Sequence, residues 1–359
     1  MEKVTVELGK RSYDIVIDRG ILSGLGPRIG SFGFSPLVGV ISNPTVYSLY
    51  GEQVMRSIKD EGFDCFPVLI PDGEEYKDYS WSHYILTELL KRGLDRNSCI
   101  VALGGGVIGD ITGFVASTYM RGIHFVQVPT TLLAQVDSSV GGKTGVNHYL
   151  GKNMIGTFYQ PRLVWIDTAT LDSLPRRELV GGMAEVIKYG IISDARFFDF
   201  LIKRKNDIMD LDPGALSSII RRSCEIKAEI VTRDERESGL RAVLNFGHTI
   251  GHAVETETRY TRFIHGEAVG IGMCLESRLS EVLGLLNPEK ILTIENLIAG
   301  YGLPCSLPGD VNARNLLSHM KRDKKVMAGE MTFILPKKIG EVTIRKGVST
   351  AEIERVLLK

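Results

Sequence analysis

The chain carries no excess of either charge: 43 Lys and Arg stand against 43 Asp and Glu in 359 residues. Without a global basic field there is nothing to hold nucleic acid or an anionic membrane surface, so any anion site must be built locally. No apolar run reaches transmembrane length and no signal peptide is recognisable, so the expected location is the cytoplasm. Cysteine is scarce. The five present (Cys65, Cys99, Cys224, Cys274, Cys305) are odd in number and scattered, with no CxxC pair, which argues against a disulfide framework and a thiolate zinc site. Low-complexity linkers and internal repeats are absent too. What remains is 43% hydrophobic and 24% charged, the profile of a globular chain of about two domains.

The N-terminal MEKVTVELGKRSYDIVID alternates apolar and polar residues like a strand pair. From there to Asp167, short β-branched runs (PLVGVIS, CFPVLI, CIVALGGG, HFVQVP, RLVWID) alternate with amphipathic segments at Thr45 to Glu61 and Tyr79 to Arg92. This is the rhythm of a parallel sheet covered by helices, whose ligands sit beyond the C-terminal ends of the strands. After LDSLPRRE the pattern turns helical, with one strand-like pair, MTFILP and VTIRKG. The expected division is an α/β domain over 1–174 and a mostly α-helical domain over 175–359.

ALGGGVIGD follows a strand and opens a helix, so backbone amides at the helix start can face a phosphate that Gly104, Gly105 and Gly106 let approach. It matches GxGxxG, but on a late strand and with no acid about twenty residues on to take a ribose. DGEEYK offers carboxylates beside a lysine for ribose and phosphate; local composition favours a solvated turn. VPTTLLAQVDSSVGGKTGVNHYLGKNMIG is richer, with Thr130, Thr131, Asp137, Lys143, Lys152 and Asn153 in a glycine-bearing segment suited to phosphate or hydroxyl groups.

Seven histidines are available for a metal. In LNFGHTIGHAVE, read as one helix, His248 and His252 share a face. His265 opens the next helix, in IHGEAVGIGM, and Glu185 is an acid in the otherwise apolar GGMAEVIKYG. Spacing alone points to His248 and His252 as joint ligands; Glu185, His248 and His265 would give the mixed set of a catalytic site; a buried histidine bonded to a carboxylate is the alternative. Lys188, Lys227, Arg241 and the run KRDKK add positive charge around these segments, and Lys227 can equally pair with Glu225 or snorkel.

Taken together, GGGVIGD, QVPTTLLAQVDSSVGGKTGVN, GKNMIGTFYQP, GGMAEVIKYG, LNFGHTIGHAVE, HGEAVGIGM and DKK resemble the 3-dehydroquinate synthase family of sugar-phosphate cyclases, in motif order from about Val4 to the C-terminus. The resemblance implies a homodimer with an NAD-binding α/β domain and a helical domain holding Zn2+ or Co2+. It implies NAD contacts from Asp72, Gly73, Glu74, Glu75, Tyr76 and Lys77, from Gly106, Val107, Ile108, Gly109 and Asp110, and from Thr130, Thr131, Lys143 and Lys152. Thr170, Leu171, Asp172 and Ser173 complete that set, although the family commonly has threonine where this chain has Ser173. It makes Glu185, His248 and His265 the metal ligands and turns His252 to the substrate phosphate, with Asn245 sharing its helical face. Lys143, Lys152, Asn153, Asn245 and Lys324 or Lys325 join His252, and Arg121 reaches in from the other subunit. Lys227 and Arg241 would hold a carboxylate, Asp137 and Lys188 the ring hydroxyls; Asp137, Lys143, Lys188 and His252 form the catalytic set.

The implied reaction is that of a carbon–oxygen lyase. It converts 3-deoxy-D-arabino-heptulosonate 7-phosphate to 3-dehydroquinate and phosphate through transient oxidation by NAD, β-elimination, re-reduction, ring opening and aldol closure. The alternatives are a cyclase making an inosose or valiolone, against which Lys227 and Arg241 argue, and a metal-dependent polyol dehydrogenase, against which the phosphate-binding set argues.

Overall fold

The computed structural model of the chain describes residues 1–322 and 331–358. Its strands are β1 (Glu2–Val6), β2 (Tyr13–Asp18), β3 (Leu37–Ser42), β4 (Asp64–Leu69), β5 (Cys99–Gly104), β6 (His124–Pro129), β7 (Lys143–His148), β8 (Gly151–Phe158), β9 (Leu163–Asp167), β10 (Thr332–Lys338) and β11 (Glu341–Lys346). Seven helices matter below: α1 (Glu52–Asp60), α2 (Tyr79–Arg92), α3 (Gly106–Thr118), α4 (Arg176–Ser193), α5 (Pro213–Arg233), α6 (His248–Glu257) and α7 (His265–Val282). The chain divides into one unit of residues 1–174 with 216–236 and another of 175–215 with 237–359. Residues 216–236, most of α5, therefore group with the first unit and not with the helical one to which sequence order assigned them. None of the described helices is long and apolar enough to cross a membrane.

In the first unit a seven-stranded sheet runs β1-β2-β9-β6-β5-β3-β4. The N-terminal pair is antiparallel, Glu2 facing Ile17 and Val6 facing Tyr13, and the remaining pairings are parallel. β5 reads CIVALG and is buried at every position, as a central strand covered on both faces must be. β3 has β4 on one side and β5 on the other, so the strand order reverses there and the turn after β5 lies at the switch point. One face packs α1 against Val38, Val40, Val101 and Trp165; the other packs α2 and α3, through Ile85, Leu89, Ile111 and Phe114, against Ile41 and Phe125.

In the second unit α6 and α7 share a core of Ile250, Val254, Ala268, Ile271, Leu275 and Leu279, closed by Phe333 and Leu335 of the β10–β11 hairpin and by Ile353. α4 is buried along nearly its whole length, from Leu179 to Ile192 except Val180.

Candidate functional site

Gly105 precedes α3 without a side-chain cap, so the first amides of this helix point out beyond β5 with no acceptor in their own helix. That is an anion-binding geometry. A Cβ at Gly105 would meet Thr131 at 3.0 Å, and Thr130 donates its amide to Gly104 O at 3.0 Å, which ties the β6 turn to the β5 turn.

Lys77 joins three segments that are far apart in sequence. Its Nζ lies 3.0 Å from Asp110 Oδ2, donates to Asn153 Oδ1 at 2.7 Å, and stands 3.4 Å from Glu74 Oε1. Asn147 completes the group: its Nδ2 donates to Glu74 Oε1 at 2.8 Å and its Oδ1 accepts from Asn153 N at 2.9 Å. Burial opposes a charge on Lys77, but Asp110 and Glu74 outweigh it and hold the ammonium above its ordinary pKa. The DGEEYK turn is therefore not a solvated one at its lysine, which is 4% exposed. Local composition missed this because the partners come from α3 and the β7–β8 hairpin. Around the group, Asp72 accepts from Thr45 at 2.9 Å, Gly73 has φ +132°, Tyr76 meets Trp81 edge-on, and Glu75 is exposed. Lys143 opens β7 and Lys152 lies on β8.

Thr170 to Ser173 belong to this unit too. Thr170 Oγ1 accepts from Gln135 at 3.0 Å, Leu171 is buried, Asp172 pairs with Arg19 at 2.6 Å, and Ser173 Oγ is 2.5 Å from Tyr50 OH. Arg121 is exposed with φ +69°, next to Met120 at φ +48°. On α5, Lys227 Nζ is 2.7 Å from Asp137 Oδ1 and 2.7 Å from Asp137 O. Its expected neighbour Glu225 is taken by Arg221 and Arg222.

The second unit assembles the metal candidates. Glu185 is fully buried on α4, and its Oε1 has no hydrogen-bond partner. Oε2 contacts Lys188, one turn on; Oε1 faces His248 Nε2 at 3.5 Å and His265 Nε2 at 3.6 Å. These separations are too long for hydrogen bonds. They are close to the edge of a tetrahedron, about 3.3–3.5 Å, set by zinc–ligand distances of about 2.0–2.1 Å. A buried carboxylate oxygen left without a hydrogen bond, facing two imidazole nitrogens, fits a divalent cation. Burial opposes charge on His265, but Glu185 and Glu255 overcome it and lift the imidazole to about 10, so these groups favour positive charge.

Backbone contacts make the assembly possible. A Cβ on Gly266 would lie 1.9 Å from Gly181 O, and one on Gly272 would lie 1.9 Å from Gly247 O. The bare glycines let α7 lie directly on α4 and on the start of α6. Phe246, at ψ 128°, ends the preceding helical turn (Leu240–Asn245), and Gly247, at φ +80°, starts α6 at His248. LNFGHTIGHAVE is thus not one helix. Asn245 closes the earlier turn, donating to Glu237 at 2.8 Å, and shares no continuous face with His248. Arg241, in that same turn, is fully buried.

His248 Nδ1 lies 3.1 Å from Phe246 O, which can only accept, so Nδ1 carries the hydrogen and Nε2 keeps its lone pair toward Glu185. His252 falls in a different grouping, with Glu255 and His265. Among the described residues no metal-capable grouping contains both His248 and His252, although spacing had paired them. Lys324 and Lys325 lie outside the described residues. Sequence reasoning passed over Glu255, Phe246 O and Glu276, although the two acids stand in apolar helices just as Glu185 does.

A family model described as 3-dehydroquinate synthase N-terminal matches residues 67–181, and its C-terminal counterpart matches 182–326. The chain is 57% identical to a 3-dehydroquinate synthase of Thermodesulfovibrio yellowstonii over 99% of both chains, and 50% identical to one of Pelobacter propionicus over 96% of both. A solved 2-epi-5-epi-valiolone synthase of Streptomyces hygroscopicus subsp. jinggangensis, with NAD+ and Zn2+ bound, has a TM-score of 0.90 at 30% identity, covering 98% of this chain and 97% of its own. Matched by the family models over both parts and by relatives nearly end to end, the chain belongs to the 3-dehydroquinate synthase family.

Proposed function

We propose that the chain converts 3-deoxy-D-arabino-heptulosonate 7-phosphate to 3-dehydroquinate and phosphate, as a cytoplasmic homodimer using NAD and Zn2+ or Co2+. The observation that carries this reading is the cluster of buried Glu185 with the partly exposed His248 and His265, in a chain that matches a named 3-dehydroquinate synthase over 99% of its length. The greater identity to these than to the valiolone synthase, 57% against 30%, favours the quinate product over the rival cyclase.

Glu185, His248 and His265 hold the metal, which when bound polarises substrate hydroxyl and carbonyl oxygens as a Lewis acid. The amides of Gly106 to Ile108, with Lys77, Asp110 and Thr130, hold NAD, which when bound accepts and returns one hydride per turnover. Lys227 and Arg241 bind the substrate carboxylate; Asp137 keeps the Lys227 ammonium oriented between turnovers. Lys188, buried beside Glu185, contacts the ring hydroxyls and balances charge that develops on oxygen during elimination. Lys143, Lys152, Asn153, Asn245 and His252 bind the phosphate, and Arg121 serves the partner's site. Lys324 or Lys325 belongs to the same phosphate set.

The test is purified protein with trace NAD, Zn2+ or Co2+ and the heptulosonate phosphate. Phosphate release far exceeding the NAD present supports the reading. Stoichiometric NADH accumulation, or no phosphate release with metal supplied, overturns it.

A further inference from the structure

Among the described residues of the second unit, two buried acids remain after the ligands and the substrate groups are assigned. Glu255 is on α6 and 4% exposed; Glu276 is on α7 and fully buried. Each reaches the other helix at its histidine end. Glu255 Oε2 lies 3.6 Å from Nδ1 of His265, the first residue of α7. Glu276 Oε2 accepts from Gly247 N at 2.7 Å and its Oε1 from Ile250 N at 3.3 Å, around His248, the first residue of α6.

We propose that Glu255 and Glu276 are positioning residues for the metal, a reciprocal pair in which each histidine-bearing helix supplies a carboxylate that fixes the other helix's ligand. This rests on the metal reading above.

The two residues act differently. An imidazole offers one lone pair, and Glu185 stands at His265 Nε2. At 3.6 Å Glu255 is no more hydrogen-bonded to His265 than Glu185 is, but a carboxylate facing Nδ1 favours the tautomer with hydrogen on Nδ1, which leaves Nε2 to the cation. For His248 that task is done by Phe246 O, so what this ligand needs is a fixed helix start. Gly247 supplies no side-chain cap, and Glu276 takes over the cap from outside the helix.

Charge gives a second, independent reason. Glu185 and Lys188 cancel each other and an imidazole that ligates is neutral, so a bound divalent ion would bring two positive charges that these groups do not compensate. Glu255 and Glu276 are two carboxylates buried in the same two helices.

The experiment titrates metal-depleted wild type, Glu255→Gln, Glu276→Gln and Glu185→Gln with Zn2+ against a chelating dye. It also records the visible absorption of the Co2+-loaded forms and the melting of the metal-free ones. Wild type is expected to bind one ion per chain and Glu185→Gln none. Glu255→Gln and Glu276→Gln should bind one ion about ten- to a hundredfold more weakly, with altered Co2+ absorption in Glu255→Gln and a loss of affinity that does not follow the change in melting. If wild type binds no ion, the metal reading falls and the proposal with it. If Glu185→Gln loses the ion while the other two variants stay within twofold of wild type, only the proposal falls. Two ions in wild type and one in Glu255→Gln would make Glu255 a ligand and overturn it as well. Should Glu276→Gln not fold, Glu255→Gln decides alone.

Discussion

Gly266 packs so closely on Gly181 that a Cβ at the former would stand 1.9 Å from the carbonyl oxygen of the latter, and only 2.7 Å from its Cα. All the clashing atoms are backbone, so no rotamer change can relieve them, and α7 would have to leave α4. Glu185 is carried on α4 and His265 on α7, so the same displacement opens the ligand set. Gly266→Ala is expected to lower stability by at least about 1–3 kcal/mol and to weaken metal retention. Melting of the metal-free protein together with metal content after dialysis checks both, and unchanged values would show that the contact relaxes at no cost.

His248 and His252 are one turn apart on α6 and both adjoin His265, yet they group with different carboxylates. His248 Nε2 is directed at Glu185, whereas His252 groups with Glu255 and His265. His248→Ala should abolish metal retention. His252→Ala should keep the metal and lose turnover if, as proposed, that side chain binds the substrate phosphate. Metal analysis beside phosphate-release kinetics separates the two, and equal metal loss would refute the division of labour.

Lys77 and Asp110 are side chains with 5% and 19% exposure, so neither can recover its solvation if the other is removed. Lys77→Met leaves Asp110 and Glu74 without their cation and should cost about 3–5 kcal/mol, read by denaturant unfolding. The double change Lys77→Met with Asp110→Leu should regain part of that stability. It should not regain NAD affinity, measured by fluorescence or calorimetry, if the pair also serves the cofactor.

How far these sites could be read in the sequence depended on where their partners came from. The βαβ rhythm was legible because buried strands such as CIVALG announce themselves by composition, and Glu185 was legible as an acid among apolar residues. The same signal marked Glu255 and Glu276, but nothing local says that one meets an imidazole nitrogen and the other a pair of backbone amides. Those contacts follow from α6 and α7 lying together on bare glycines. The break at Gly247 was hidden for a related reason: the 3.6-residue spacing continues on paper across a residue that the chain uses at positive φ. Lys77 joins residues 33 and 76 positions away, beyond the reach of any local window.

Glu235 closes the first unit on residues 216–236, and it supplies a pH test of why that stretch belongs there. Its carboxylate accepts from Arg11 at 2.5 and 2.7 Å and from Gln160 Nε2 at 2.9 Å. Partial burial works against ionisation, but Arg11 and Gln160 outweigh it and hold the carboxyl below its ordinary value of 4.5. A folded pKa lower than the unfolded one means that the contribution is fully present above the unfolded value and is lost as pH falls through the folded one. Wild type should therefore melt higher than Glu235→Gln at neutral pH, and the gap should close as pH falls below the ordinary value of 4.5 and through the lower folded one. Arg11 is more than half exposed, so the gap should also narrow with added salt. A gap that stayed constant from neutral to strongly acidic pH would mean that the side chain contributes through its shape, by way of the Gln160 bond, and not through its charge.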